Sequence, residues 1–368
     1  MNSTGLFQGT GRAFGSGWIS GMLAVTCGAL GYGAVLCLIF PDVLTTPDAR
    51  PLYPLAVIRA LVHALLVLGF GLGVLSVLLR RRKTLGLTGI ALALAGTLLG
   101  GAGVDVPDSV TGTRTIGLDW FLLNLFVLAL VFVPLERIWA QRPSQSILRF
   151  GWSTDLMHFG MSHLLVQVTV VLTMLPAALF FRWAVSPRFQ DLVASQPLVL
   201  QFVEILFVAD LAEYAVHRLF HHVPWLWRFH AIHHSSRALD WLAGSRLHLV
   251  DIVVTRGLSF VPLYLFGFAP PALYAYLIFV SFHAVFIHAN IRWRFHALEP
   301  FLVLPRFHHW HHAAHPVDKN FAIHLPWIDR LFGTAHLPPE GWPDRYGIQG
   351  DPVPEGYWRQ LVLPFVRR

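Results

Sequence analysis

The sequence predicts an all-α fold: a polytopic bundle of membrane helices carrying a cytosolic, histidine-rich cap. Three observations predict it. The 368 residues are 55% hydrophobic and only 13% charged, with a mean hydropathy of +0.57, well beyond the composition of soluble domains. Apolar runs of about 20 residues, long enough to cross a bilayer's hydrocarbon, recur along the chain. The histidines are uneven: 17 of 20 lie in 217–336, where even scatter would place six or seven.

The apolar runs are 18–40, 55–79, 84–104, 117–135, 160–182 and 197–217. The first is too long and too poorly flanked for a cleaved signal peptide. A later stretch, 249–289, is interrupted by "GFAPPA", and its glycine and prolines predict a hairpin of two helices. Four regions follow. Residues 1–115 form an N-terminal transmembrane region without evident chemistry, and 116–200 are linking transmembrane helices. Residues 201–335, which hold most of the histidines, form the domain expected to carry the chemistry, and 336–368 a polar, cytosolic C-terminal tail.

Lys/Arg bias sets the orientation. "RRRK" at 80–83 belongs in the cytoplasm, so 105–116 falls outside and 136–149 inside. The run ending at His217 then emerges at the cytoplasmic face, and the hairpin returns the chain there. The net charge of +7 is the charge of that face, not a sign of nucleic-acid binding. Cys27 and Cys37, both inside the first run, exclude a disulfide framework or a thiolate metal site.

The histidines fall in three boxes. In "DLAEYAVHRLFH", helical rotation of about 100° per residue puts Asp210, Tyr214, His217 and His221 on one stripe and turns His222 away. His217 and His221 are therefore candidate metal ligands. Asp210 and Tyr214, deeper on the stripe, are candidates to hold a ligand imidazole N–H, because a buried ionisable group needs a partner. "HAIHH" supplies His230, His233 and His234, and "HHWHH" supplies His308, His311 and His312 at the same i, i+3, i+4 spacing, with His309 facing elsewhere. Between them, His283 and His288 are about 140° apart on a helix, and His288 lies nearer the polar end. A lone histidine in an apolar run is ordinarily a satisfied core residue, the reading for His63, His158 and His163. Three boxes at one membrane face do not fit that reading.

Neutral imidazoles suit zinc, copper, iron and nickel. One tetrahedral zinc takes four ligands, so this number of histidines is enough for two metals. There is no HExxH zinc-protease helix. Two irons surrounded by histidine, with positions left for O₂, fit the pattern, and zinc is the ion expected to replace iron in purified protein.

The blocks "DLAEYAVHRLFH", "WLWRFHAIHHSS", "LDWLAGSRLH", "FIHANI", "FHHWHHAAHPVDKNFA" and "WIDRLFGT", in this order and preceded by "ERIWAQRPSQSILRFGWSTDLMHF", which is similar to the segment before the domain in bacterial members, resemble the fatty acid hydroxylase/sterol desaturase superfamily over roughly 136–335. The resemblance implies a membrane di-iron enzyme that uses O₂ and external electrons to hydroxylate or desaturate an unactivated C–H of a lipid, such as a sterol or fatty acyl chain. Carried onto matching positions, the ligands are His217, His221, His230, His233, His234, His288, His308, His311 and His312. Members often carry a further histidine where this chain has Ala284, so His283 and His315 are the candidates for a tenth ligand. Asp318 and Asn320 match the family's acidic and amide positions after the last box. With Asn290, and with His248 as either a ligand-orienting or a substrate-side residue, they join Asp210 and Tyr214 as candidates to orient the ligands.

No GxGxxG follows a strand pattern and no CxxC is present, so electrons are expected from a separate ferredoxin, cytochrome or reductase. Two rival readings use the same residues: a histidine-rich metal transporter and a catalytically inactive lipid-binding homologue. Transporter ligands sit near the bilayer midplane, whereas these boxes lie at helix ends.

Overall fold

The computed structural model describes residues 15–46, 50, 54–106, 116–293, 295–339, 341–350 and 353–366. Residues 107–115, which contain most of the expected outer loop and the expected boundary at 115, lie outside them. Among the described residues the fold is all-α, with two isolated bridges, Ala140–Ile291 and Ala313–Tyr346. Contacts divide the chain into two compact units, Met1–Leu125 and Phe126–Arg368.

The first unit contains α1 (Trp18–Ile39), α2 (Pro41–Leu44), α3 (Leu55–Leu79) and α4 (Thr84–Leu98). Helices α1, α3 and α4 pack on one another. They are apolar all round, so burying an apolar stripe cannot select their contact faces. Small residues select them instead: a side chain at Gly89 would put its Cβ 2.6 Å from Ala24 Cβ, and one at Gly28 would meet the Gly89 carbonyl at 2.9 Å. Close backbone approach of this kind is how helices associate in lipid, where apolar burial drives little. Helix α3 stops at Leu79, where the arginines begin.

Helix α5 (Leu118–Ile138) spans the division between the units. The second unit continues with α6 (Trp152–Leu164), α7 (Val166–Phe181), α8 (Pro187–Ala194), α9 (Leu198–His222), α10 (Pro224–His234), α11 (Leu249–Phe266), α12 (Pro270–His288), α13 (Pro305–His311), α14 (Pro326–Leu331) and α15 (Tyr357–Val366). Helix α11 packs against α7 and α9, and α12 against α9 and α13.

Six described helices are long and apolar enough to cross a membrane: α1, α3, α4 with the turn that extends it to Gly103, α5, α11 and α12. The chain is a multi-pass membrane protein. Two of the expected spans differ from expectation. The run 160–182 is a pair, α6 and α7, bent by 57°. Helix α6 carries buried Thr154, Asp155 and His158, which belong to a polar layer. The run 197–217 continues to His222 as α9, and with Glu204, Asp210, Glu213 and Arg218 it is not among the six. The 249–289 stretch is the expected hairpin, with Pro270 in the first turn of α12.

A buried ionic lattice braces the polar layer. Arg149 donates to Asp155 at 2.6 Å and to Asp240 at 2.7 Å. Arg246 donates to the other oxygen of Asp155 and to Glu355. Each buried charge has a partner, as its removal from water requires. The lattice ties α6 to the 240–246 segment that follows α10.

Candidate metal centre

Nine histidines converge at the ends of α9, α10, α12 and α13 in two groups. His217, His221, His230, His234 and His311 form one; His233, His288, His308 and His312 form the other. Within each group one ring nitrogen from every residue lies within 4.8 Å of all the others. Helix geometry deals the residues out. On α10, His230 and His234 are one turn apart and serve the first group, while His233 is rotated into the second. The third box does the same: His311 joins the first group, His308 and His312 the second.

The outward nitrogens of six of the nine rings are held, and those of His308 and His312 are buried without a partner. His217 Nδ1 donates to the Phe321 carbonyl at 2.7 Å, His311 Nδ1 to that of Lys319 at 2.8 Å, and His233 Nδ1 to that of Arg246 at 3.2 Å. His288 Nδ1 donates to the Ala284 carbonyl at 2.7 Å. His230 Nδ1 donates to Asp251 at 2.7 Å and His221 Nδ1 to Asp318 at 3.1 Å. A carbonyl or carboxylate only accepts, so in each neutral ring Nδ1 carries the proton and Nε2 presents a lone pair.

Those lone pairs face one another. His217 Nε2 and His230 Nε2 are 3.0 Å apart, and His288 Nε2 is 3.0 Å from His308 Nε2 and 3.2 Å from His312 Nε2. His221 Nε2 and His311 Nε2 are buried without a partner. Protonation cannot relieve the repulsion, because burial and the neighbouring imidazoles hold His233, His234, His308, His311 and His312 well below the usual histidine range. Neutral imidazoles with converging, unsatisfied lone pairs are a donor set for cations, and the residues present fit two metal ions.

Backbone room is part of the site. A Cβ at Gly244 would lie 2.7 Å from His288 Nδ1, so only glycine leaves space for that ring. The segment 318–321, which supplies one carboxylate and two carbonyls to the rings, is folded by polar side chains. Asp318 and Asn320 both have φ of +58°, a left-handed conformation that short amide and acid side chains tolerate best. Asn320 Nδ2 donates to the Phe307 and His336 carbonyls at 2.8 Å each.

Four expected positioning residues act elsewhere than on an imidazole. The Asp210 carboxylate accepts from the N–H groups of Ile323, His324 and Leu325, because it lies two turns of α9 below His217. Tyr214 bonds Thr334 Oγ1 at 2.9 Å. His248 caps α11: its Nδ1 accepts from the Val250 N–H at 3.0 Å, and its Nε2 donates to the Leu361 carbonyl at 3.0 Å. Asn290 pairs with the backbone of Arg142. Asp318 contacts His221 directly, and Asn320 acts through the loop it folds.

Neither candidate for a tenth ligand joins a group. His283 is committed to the Val303 carbonyl at 2.9 Å and to His324 Nδ1 at 3.2 Å. His315 is exposed, four residues beyond the end of α13. His309 bonds Tyr346 Oη at 2.7 Å and the Ala289 carbonyl at 3.1 Å, as its rotated position predicts. Among the lone histidines, His158 and His163 are bonded inside the unit, but His63 is exposed on α3.

Sequence reasoning missed Asp251, Gly244 and Arg246. Asp251 carried a signal: an acid in the first turn of an apolar span, a place where an ionisable group needs a reason.

Fold and site together define a class: a membrane protein with two polyhistidine groups at its helix ends that could hold metal. A family model described as fatty acid hydroxylase matches residues 202–334. The chain is 30% identical over 255 residues to ornithine lipid hydroxylase OlsE of Rhizobium tropici, covering 67% of this chain and 75% of that one. It is 34% identical over 128 residues to human alkylglycerol monooxygenase, covering 34% of this chain and 28% of that one. It is 29% identical over 168 residues to human cholesterol 25-hydroxylase, covering 41% and 58%. No solved structure matches. The chain belongs to the fatty acid hydroxylase family and is an oxidoreductase of the lipid-modifying oxygenase class. It spans under a third of the length of the alkylglycerol monooxygenases it matches.

Proposed function

We propose that the two histidine groups each hold one iron ion and that the protein hydroxylates, or desaturates, an unactivated C–H bond of a polar-headed membrane lipid with O₂. The observation that carries this reading is the convergence of nine imidazoles in two groups whose ring nitrogens face one another. Iron bound there supplies O₂ activation without burying net ligand charge. The chain's own residues do the rest. Asp251, Asp318 and the carbonyls of Phe321, Lys319, Arg246 and Ala284 hold six rings in the tautomer that offers Nε2. The Asp240–Arg149–Asp155–Arg246 lattice braces the segment that carries the Arg246 carbonyl.

The relatives' names support a lipid with a polar end: an ornithine lipid, an alkylglycerol, a sterol. The Lys/Arg bias supports placing the histidines at the cytoplasmic face. A separate electron carrier is required, since no nucleotide or iron–sulfur motif is present in the sequence.

The test is metal content of anaerobically purified protein beside His233→Ala. About two irons per chain, with the second-group iron lost in the variant, supports the reading; a metal-poor protein from iron-replete cells overturns it. With metal present, lipids from the three relatives' classes are then supplied with O₂ and reductant and their products identified.

A further inference from the structure

The last helix carries a feature that the metal centre does not use. Helix α15 turns Tyr357, Gln360 and Pro364 inward. It leaves Trp358 63% exposed, Val362 52%, Phe365 66% and Val366 67%. Spaced i, i+4, i+7 and i+8, these four form one apolar stripe on a ten-residue helix. Arg359, also exposed, borders it.

The helix has a fixed height. His248 Nε2 donates to the Leu361 carbonyl, and His248 is the cap from which the membrane-length helix α11 starts. Gln360 Oε1 accepts from His158 of α6 at 2.8 Å, and the Thr154 hydroxyl of α6 accepts from the Gly356 N–H at 3.1 Å. So α15 lies level with the mouth of a span, where tryptophan, phenylalanine and arginine mark the boundary between water and lipid. The stripe packs onto α10 through buried Phe229. The Phe365 ring is 5.5 Å from Phe229, which is 5.1 Å from Trp225, itself 57% exposed.

We propose that α15 is an interfacial helix whose Trp358–Val362–Phe365–Val366 stripe lies in the membrane surface on the side of the histidine groups. It is not a tail free in the cytosol. Contiguous apolar surface of this kind marks a membrane or protein contact, and the height of α15 selects the membrane. A role follows from the packing. Helix α10 carries His230, His233 and His234, and its Phe229 sits against α15. A bilayer that holds α15 therefore sets the level of those histidines relative to the lipid. The inference does not depend on any metal.

Full-length protein in nanodiscs of phosphatidylethanolamine and phosphatidylglycerol tests it. In a background of Cys27→Ala and Cys37→Ala, spin labels are placed one at a time through Val362→Cys, Phe365→Cys and Arg359→Cys. Collisional relaxation by O₂, which concentrates in lipid, is compared with relaxation by a water-soluble nickel chelate. The expected ratio of O₂ to nickel relaxation is several-fold higher at 362 and 365 than at 359. A ratio at 362 and 365 equal to that at 359 places the stripe in water and overturns the proposal. Protection of 362 and 365 from both relaxants places it against protein, a second copy included, and overturns it equally.

Discussion

The two compact units solve the same problem, holding helices together in an apolar setting, by opposite means. In the first, among the described residues, the buried polar side chains are the hydroxyls of Ser20, Thr45 and Ser76, and its three long helices meet through glycine and alanine. In the second, the interior holds arginines, carboxylates and most of the histidines, and six of the nine grouped rings are oriented by a bond from Nδ1. Small-residue packing needs only contact, and among the described residues the metal-type clusters lie in the second unit. The second unit must present lone pairs at fixed positions, and contact alone does not orient a ring. Hydrogen bonds from Nδ1 do, and they account for part of the extra buried polarity, the ionic lattice around Arg149 and Arg246 for another part.

This contrast is sharpened first by removing one orienting acid. In Asp251→Asn the carboxylate that accepts from His230 Nδ1 becomes an amide that can present its N–H to the ring and favour the wrong tautomer. Metal affinity of the first group should fall about 10–100-fold, as loss of such partners typically costs, while the helical signal stays that of the parent. Titration with Fe(II) under anaerobic conditions reads it. Unchanged affinity would mean that packing alone aims the ring, and the contrast between the units would fail.

Much of this was legible in the residues, and unevenly so. The helices α1, α3, α4, α5, α11 and α12 follow from apolar run length, because the bilayer imposes a length that composition reveals. Eight of the nine converging histidines follow from i, i+3, i+4 and i, i+4 spacing, a local property of a helix, whereas His288 was chosen over His283 by its place nearer the polar end of its span. The rotation of His222 and His309 away from the groups is legible for the same reason. The partners were not. Asp210 shares a stripe with His217, yet two turns separate them, and its carboxylate meets a loop 113 residues later in the chain. Asp251 reaches His230 across 21 residues and Gly244 makes room for a ring on α12, contacts that no local period encodes. The break between α6 and α7 was hidden because its two halves together read as one apolar run.

The comparison is tested next from the other side, with a steric change in the first unit. At Gly89 a Cβ meets the backbone and Cβ of Ala24, atoms that cannot swing away. Gly89→Val should destabilise by about 1–2 kcal/mol, the usual range for overpacking, and lower the thermal transition of the detergent-purified protein. Iron content per folded chain should not change. A variant that loses iron in proportion would show that the glycine-packed unit helps orient the histidines.

The smallest expected effect separates neighbours in sequence. His309 lies between His308 and Trp310, is as deeply buried as the grouped histidines, and is held by burial at a pKa of about 3. Its two ring nitrogens are both spent on the protein: Tyr346 Oη donates to Nδ1, and Nε2 donates to the backbone carbonyls of His288 and Ala289. It has no lone pair to offer a metal. His309→Gln keeps a donor and an acceptor in a side chain of similar reach, so stability should fall by about 1 kcal/mol, the worth of one imperfectly replaced hydrogen bond, with iron content unchanged. The same exchange at His308, whose Nε2 faces His288 and His312, should remove iron from the second group. Two adjacent substitutions of identical chemistry thus divide by which way the ring nitrogens face. If both lost iron alike, burial rather than lone-pair direction would define the site, and the separation drawn between polar support and metal donor would have to be abandoned.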